Sequence, residues 1–138
     1  MNKQGPIVNG EWADPFILKD GDDYYLYPTK DSDGWLYEKF HVFHSKDLIN
    51  WDGPYLALDL NDVEWAKTRA WAPGINKFNG KYYMYFSAEA QIGVAVSDSP
   101  MGPFKDILGR PLISKNEFGC QSIDADLFID NDNQPYLL

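Results

Sequence analysis

The sequence predicts an all-β fold, and three observations carry this prediction. Apolar segments are followed by short polar turns and then by Tyr-rich segments, which is typical of β-hairpins. This hairpin pattern returns along the 138 residues as an internal repeat. No long segment keeps the 3.6-residue period of an amphipathic helix. We therefore expect several short antiparallel strands and very little helix.

The first two repeats align without a gap when residues 14–27 are set above residues 72–85. Pro, Ile, Lys and three Tyr residues coincide in this alignment. A third copy opens at Ile123 and ends with Tyr136 and the two leucines after it. Gly and Asn in the turns supply the positive φ that a tight hairpin requires. The turns are expected at residues 20–22, 79–80 and 131–133.

Each of the first two repeats continues with a third strand, over residues 40–47 and residues 92–98. Both segments end at a serine-containing turn. A short fourth strand is predicted near Tyr55 to Leu58 and near Pro111 to Ser114. Residues 61–64 have the pattern of one capped helical turn.

Four short antiparallel strands that repeat about every 50 to 60 residues indicate the blades of a β-propeller. The expected bounds are about residues 11–60 for the first blade, about 70–115 for the second and about 122–138 for the start of a third. A propeller needs at least about four blades to close its ring. The chain is therefore predicted to be an incomplete propeller of two blades plus the first hairpin of a third. A self-contained β-sandwich is the alternative for the same pattern.

Composition excludes several classes of function. Asp and Glu outnumber Lys and Arg by 21 to 12, and the net charge of −9 argues against nucleic acid and anionic membranes as partners. One cysteine excludes a disulfide framework and a Cys-based zinc site. The apolar runs are too short to span a bilayer, and residues 1–6 lack the apolar segment of a signal peptide. We expect a cytoplasmic protein, or a secreted one whose signal has been removed.

Aromatic residues make up 16% of the chain, which suits a carbohydrate ligand as well as a core.

Two aspartates occupy equivalent positions in the repeats. Asp14 starts the first strand of the first repeat and Asp124 that of the third, whereas the second repeat has Ala72 there. In a propeller the first strand of each blade lines the central channel, so the two carboxylates are expected at one end of it, with Trp71 between them. Paired carboxylates across an open pocket are what glycosidic bond hydrolysis uses. An Asp before Pro also commonly just begins a strand or caps a turn.

Several motifs together resemble glycoside hydrolase family 43, in the order in which that family has them. No single motif is specific, but the set covers essentially the whole chain. The motifs are Ala-Asp-Pro-Phe-Ile at residues 13–17, Trp-Ala-Pro-Gly-Ile at 71–75, the Tyr-rich run at 80–87, the segment 92–104 with its Asp-Ser-Pro-Met-Gly-Pro, and Ser-Ile-Asp at 122–124 followed by Leu-Phe-Ile-Asp at 127–130.

The resemblance implies a five-bladed propeller that hydrolyses β-xylosides or α-L-arabinofuranosides with inversion. In this family pattern Asp14 matches the general base that activates water. Asp124 matches a second carboxylate, which orients the sugar and raises the pKa of the general acid. Trp71 matches an aromatic wall of the sugar pocket, and Trp35 is a further candidate for its rim. The implied partner is a xylose- or arabinose-containing saccharide.

Three departures from the family pattern are visible. The family often has Pro where this chain has Ala125, and an acidic residue where it has Gly74. The family's general acid is a Glu from a later blade, and none of the glutamates present lies in the matching motif. This chain alone is therefore expected to be inactive.

No cofactor is predicted from the sequence. His41 and His44 lie three residues apart on a predicted strand, where they would point to opposite faces, so they are not expected to bind a metal. The resemblance allows a structural ion in the complete propeller, near a His of a later blade.

Other functions stay open. The chain could be a non-catalytic sugar-binding module, or a propeller fragment whose blade edges pair with another copy or with the missing C-terminal blades. A neighbouring family of five-bladed enzymes acts on fructosides, but it carries Asn-Asp-Pro-Asn-Gly where this chain has Ala-Asp-Pro-Phe-Ile. Xylosidase, arabinofuranosidase and endo-acting activity are not separated by the sequence.

Overall fold

The computed structural model describes residues 5–138, apart from the side chain of Asp33. Residues 1–4, on which the signal-peptide prediction partly rests, lie outside the described residues. Nearly all regular structure in the described part is β-strand, so the all-β prediction is confirmed. No helix in this described part is long and apolar enough to cross a membrane.

The first two sheets are four-stranded antiparallel meanders in which each strand pairs with the next. The first sheet comprises β1 (Trp12–Asp20), β2 (Asp23–Lys30), β3 (Lys39–Ser45) and β4 (Asp52–Asp59). The second comprises β5 (Trp71–Phe78), β6 (Lys81–Ala88), β7 (Gln91–Ser97) and β8 (Lys105–Asp106). A third sheet is the hairpin of β9 (Leu127–Ile129) and β10 (Pro135–Leu137).

The predicted hairpins are present in all three sheets. Asn79 and Gly80 join β5 to β6 with φ of 49° and 78°, which is the pair of positive values that a two-residue type I′ turn requires. The β1–β2 turn is equally short, because Asp20 pairs with Asp23. Two 3₁₀ turns, Asp33–Trp35 and Leu60–Asp62, follow β2 and β4.

The fourth strands match the prediction in one sheet only. Residues 55–58 lie within β4, as expected. In the second sheet the prediction near Pro111 to Ser114 was wrong, because β8 forms earlier, at Lys105–Asp106. Phe104 is buried and its N–H bonds to the Ala57 carbonyl oxygen at 2.8 Å, so the chain is anchored in the core just before it meets β7. Of the predicted strand, Leu112 and Ile113 keep backbone hydrogen bonds to Ile92 of β7, as an isolated bridge and not a strand.

One apolar core joins the first two sheets. Phe40 of β3 and Phe86 of β6 are both fully buried, with ring centroids 5.2 Å apart. Tyr27 is buried beside them, and its hydroxyl donates to the Pro100 carbonyl oxygen. Alternate residues of the Tyr-rich strand β6 (Tyr82, Met84 and Phe86) face this core, which is the period of two that a strand imposes.

A polar contact also links the two sheets. Lys77 of β5 donates to Asp20 of β1 at 2.7 Å, and the hydroxyl of Tyr82 donates to the other oxygen of the same carboxylate. The first strands of the two sheets therefore lie side by side, tied at the ends where their hairpin turns begin.

Candidate active site

The segment that carries Asp14 has a specific backbone irregularity. The β1–β2 register shifts between Ala13 and Phe16, so that two residues of β1 face one residue of β2. Such a β-bulge re-aims a side chain at the rim of a sheet. Pro15 occupies the second bulge position, where its missing N–H leaves no donor unpaired. The bulge thus turns Asp14 out of the strand alternation at the end of the sheet.

The second sheet repeats this irregularity, with a register shift between Trp71 and Gly74. Ala72 stands at the position equivalent to Asp14. The φ angles of Asp14, Ala72 and Asp124 are 44°, 41° and 61°, so all three lie in the left-handed region. Residues that the repeat alignment makes equivalent therefore also share a backbone conformation. These three segments, residues 14–16, 72–74 and 124–126, surround one small space of about 170 Å³.

All four residues singled out from the sequence line one open cavity of about 340 Å³. Asp14 comes from the first sheet, Trp71 from the second, and Asp124 from the segment that leads into the third. Trp35 reaches the same cavity from the 3₁₀ turn after β2. The predicted convergence of two carboxylates from separate repeats on one pocket is thus what the structure contains.

The two tryptophans form a connected wall. The indole N–H of Trp71 donates to the carbonyl oxygen of Trp35 at 3.0 Å. The guanidinium of Arg69 lies 5.7 Å from the centroid of the Trp71 ring, within cation–π distance. Trp35 leaves 66% of its surface exposed at the rim. An exposed indole of this kind presents a flat apolar surface to whatever enters the cavity.

The electrostatics of the cavity are set by its carboxylates. The pKa of Asp124 is raised above its ordinary value, first by burial and second by the negative charge of Asp14. Although Asp124 as a residue is exposed, surrounding atoms still remove part of the water from its carboxyl group. Like charges at close range disfavour simultaneous ionisation, so Asp124 binds a proton more readily than an isolated aspartate does.

The sequence reasoning missed several residues of the site. Asp31 and Thr29 line the cavity, and Asp31 brings a third carboxylate to it. Buried Ser87 accepts the N–H of Asp124 at 2.8 Å. One signal could have pointed to two of them, because Thr29 and Ser87 coincide when the repeat alignment is extended two residues past the aligned Tyr.

Two departures from the family pattern have a structural context. Gly74 is buried against the next repeat, where an added Cβ would lie 3.1 Å from Asp126 Oδ1 and 3.3 Å from the Ala125 carbonyl oxygen. An acidic side chain at this position would therefore meet the Asp126 carboxylate. Ala125 is itself buried, beside the exposed Asp124.

The histidines do not form an ion site in the described part of the chain. Nε2 of His44 lies 2.6 Å from Asp23 Oδ1. His41 packs against the rings of Trp12 and Tyr37 instead. Within residues 5–138, no three His, Cys, Asp or Glu side chains are grouped so that they could hold a metal.

The fold and the cavity define a class of protein, in which repeated antiparallel sheets surround a cavity that bears carboxylates. The family model described as "Glycosyl hydrolases family 43" matches residues 3–138. The chain therefore belongs to glycosyl hydrolases family 43, a β-propeller family, as the sequence motifs indicated.

Individual relatives agree with this assignment. The chain is 32% identical over 146 residues to the beta-D-galactofuranosidase xynD of Aspergillus niger, covering 96% of this chain and 43% of that protein. It is 33% identical over 152 residues to the xylosidase/arabinosidase 43A of Humicola insolens, covering 95% and 44%. Among solved structures it matches CoXyl43, a beta-xylosidase/alpha-arabinofuranosidase from a compost microbial metagenome in complex with xylotriose. That match has a TM-score of 0.81 at 33% identity and covers 96% of this chain and 44% of the other. The chain thus spans less than half the length of these relatives.

Proposed function

We propose that this chain supplies the general-base side of the active site of an inverting glycoside hydrolase that acts on xylose- or arabinose-containing saccharides. The observation that carries the proposal is that Asp14 and Asp124, from separate repeats, line one cavity together with Trp71 and Trp35. Membership of glycosyl hydrolases family 43 supports the same chemistry.

In this proposal Asp14 is the general base. Its carboxylate takes a proton from a water molecule as that water attacks the anomeric carbon from the face opposite the leaving group. Asp124 orients the sugar, and its negative charge raises the pKa of the general acid. Trp71 and Trp35 stack against the C–H faces of the sugar and keep water away from that side.

The substrate class rests on the relatives. Two of the relatives are named for xylosidase and arabinosidase or arabinofuranosidase activity, and one of these was determined with xylotriose bound. Another is named a galactofuranosidase. A panel of aryl β-xyloside, α-L-arabinofuranoside and β-galactofuranoside would separate these substrates, and we expect the two pentosides to be preferred.

The proposal includes an architecture. The first and second sheets are the first two blades of a five-bladed propeller, and the third sheet begins the next blade. The general acid is then a Glu on a later blade, so the 138 residues alone hydrolyse nothing at a useful rate. Removing general-acid catalysis typically costs about 10²- to 10⁴-fold in rate.

Turnover of the aryl pentosides by the purified chain tests this proposal. We expect a rate at least about 100-fold below that of a complete family member. A comparable rate would mean that the chain contains its own proton donor.

Binding is tested separately, by following the indole N–H signals of Trp35 and Trp71 during titration with xylotriose. Trp35→Ala should weaken binding, whereas Phe118→Ala, at an equally exposed aromatic outside the cavity, should not.

A second candidate function is assembly through the open edge of the third sheet. This sheet has two strands, and its Phe128 and Tyr136 are 55% and 47% exposed. A two-stranded sheet is marginal on its own, which favours pairing with another copy or with separately supplied blades. Sedimentation velocity over a range of concentrations tests this, and Phe128→Glu should shift the chain to monomer. A monomer at every concentration would contradict self-pairing.

A further inference from the structure

Two buried hydroxyl groups make the same contact at successive boundaries between repeats. Thr29 near the end of β2 accepts the backbone N–H of Ala72 at 2.7 Å. Ser87 near the end of β6 accepts the backbone N–H of Asp124 at 2.8 Å. Thr29 and Ser87 are 6% and 0% exposed. The repeat alignment places the two hydroxyls at equivalent positions, and it also places Ala72 and Asp124 at equivalent positions.

Both acceptors hold a residue whose backbone is strained. Ala72 and Asp124 lie in the left-handed region, which costs a residue with a side chain free energy unless its surroundings determine the conformation. A buried hydroxyl that binds the N–H of such a residue supplies part of that determination. The same hydrogen bond thus occurs at both boundaries, at Ala72, which has no carboxylate, and at Asp124.

The placement of Ser87 gives its hydrogen bond a role in the site. In the β5–β6 ladder Ser87 pairs with Trp71, so one residue adjoins both the aromatic wall and the Asp124 backbone. Within the described residues the Asp124 carboxylate has neither a hydrogen bond nor an ion pair to another side chain. Its direction is therefore set by its own backbone and not by a partner of its side chain.

We propose that Ser87 is a positioning residue, which fixes the Asp124 carboxylate in the cavity by accepting the Asp124 backbone N–H from the neighbouring sheet. The importance of that position for catalysis rests on the proposed function of Asp124. The contact itself does not depend on it.

Amide hydrogen exchange of Asp124, measured by NMR, tests the contact directly. Ser87→Ala should speed exchange at the Asp124 amide by about ten-fold, the factor that corresponds to losing one buried hydrogen bond. It should leave the Ala72 amide unchanged. Thr29→Ala is the matched control, and it should do the reverse. Ser87→Thr keeps a hydroxyl and should restore slow exchange at Asp124.

The pKa of Asp124 is a second measurement. It should change if Ser87 positions the carboxylate, but not if Ser87 only stabilises the fold. Asp14 and Asp31 carry the other carboxylates of the cavity, and Arg69 lies over Trp71. Ser87→Ala should move the Asp124 pKa towards its ordinary value, because the carboxylate is no longer held in the partly buried site beside Asp14. Thr29→Ala should move that pKa less, because Thr29 lines the same cavity but does not bind the Asp124 backbone.

Unchanged exchange at Asp124 in Ser87→Ala, or equal effects of the two alanine variants on the Asp124 amide and pKa, would overturn the proposal. If Ser87→Ala does not fold, Ser87→Cys keeps the volume with a weaker acceptor and answers the same question. Failure of the proposed hydrolytic activity would leave these exchange results unaffected, so the two failures are distinguishable.

Discussion

Asp14, Ala72 and Asp124 have left-handed backbones in equivalent segments of the three repeats, and only two of them are acidic. Ala72 has the same conformation as Asp14 and Asp124 but no functional group. The strained backbone therefore belongs to the repeating architecture. The carboxylates of Asp14 and Asp124 are additions to it, and both line the cavity. At Asp14 a bulge directs the side chain there.

The coupling between these two carboxylates gives a prediction at the residue scale. Asp14→Asn removes the negative charge that contributes to the raised pKa of Asp124, so this pKa should fall. It should stay above the ordinary value, because burial is the larger cause and remains. A ¹³C NMR titration of the Asp124 carboxyl group measures the change.

Asp22→Asn is the control for this titration, since Asp22 lies in the β1–β2 turn at the other end of the strand. It removes the same charge from the chain and should leave the Asp124 pKa alone. Equal shifts in the two variants would show that the effect is one of net charge and not of contact.

At the scale of the elements, the second sheet is packed around a glycine. Gly93 of β7 lies under Phe86 and Trp65, whose rings stack with centroids 5.8 Å apart. A Cβ at this position would overlap the Phe86 ring and lie 2.6 Å from Trp65 Cζ2. Gly93→Ala should lower the free energy of unfolding by about 1–3 kcal/mol, the usual cost of overpacking a core. Urea unfolding measures this loss.

Gly74→Ala is a suitable comparison, because its Cβ would meet a carboxylate oxygen at 3.1 Å and a carbonyl oxygen at 3.3 Å. These contacts need smaller adjustments than two fixed rings do, so the loss of stability should be smaller. A larger loss in Gly74→Ala than in Gly93→Ala would contradict this account of the packing.

The tie between β1 and β5 predicts how stability depends on pH. Hydrogen bonds from Lys77, and then from Tyr82, hold the pKa of Asp20 below its ordinary value of 3.8. The ionised carboxylate therefore stabilises the folded chain above that unfolded-state value, and the contribution is lost as the pH falls through the lower folded-state pKa. Asp20→Asn should reduce stability at pH 7 and make the acid-induced loss shallower.

Asp98→Asn tests whether the link between sheets matters here. Asp98 also pairs with a lysine, Lys81, at 2.8 Å, but within one sheet and with side chains that are 52% and 88% exposed for Lys81 and Asp98. Solvent screens such a pair, so its loss should change stability little. If the two variants lost the same free energy of unfolding at pH 7, the contact between the two sheets at Asp20 would not stabilise the chain more than an exposed surface pair does.

Particular elements show what could be predicted from the sequence. The hairpins followed from their turn residues, and the convergence of Asp14, Asp124 and Trp71 followed from the repeat alignment. The position of β8 did not, because it depends on Phe104 entering the core of the neighbouring sheet. Ser87 was missed for a related reason, since its role arises from a contact between repeats.

At the scale of the whole molecule, the first two sheets share one core and the third offers an open edge. Residues from all three repeats line the cavity, so its shape depends on how the three repeats pack together. In the proposed function these sheets are blades of one ring, and the residues from this chain form one side of the site.

The most direct test of the central claim is the hydrolysis rate of an aryl β-xyloside or α-L-arabinofuranoside by the complete propeller proposed to contain this chain, with and without Asp14→Asn. We expect the rate to fall by at least about 10²- to 10⁴-fold, because the general base is lost, while the affinity for xylotriose stays nearly the same. Hydrolysis at an undiminished rate would remove Asp14 from the mechanism and contradict the account.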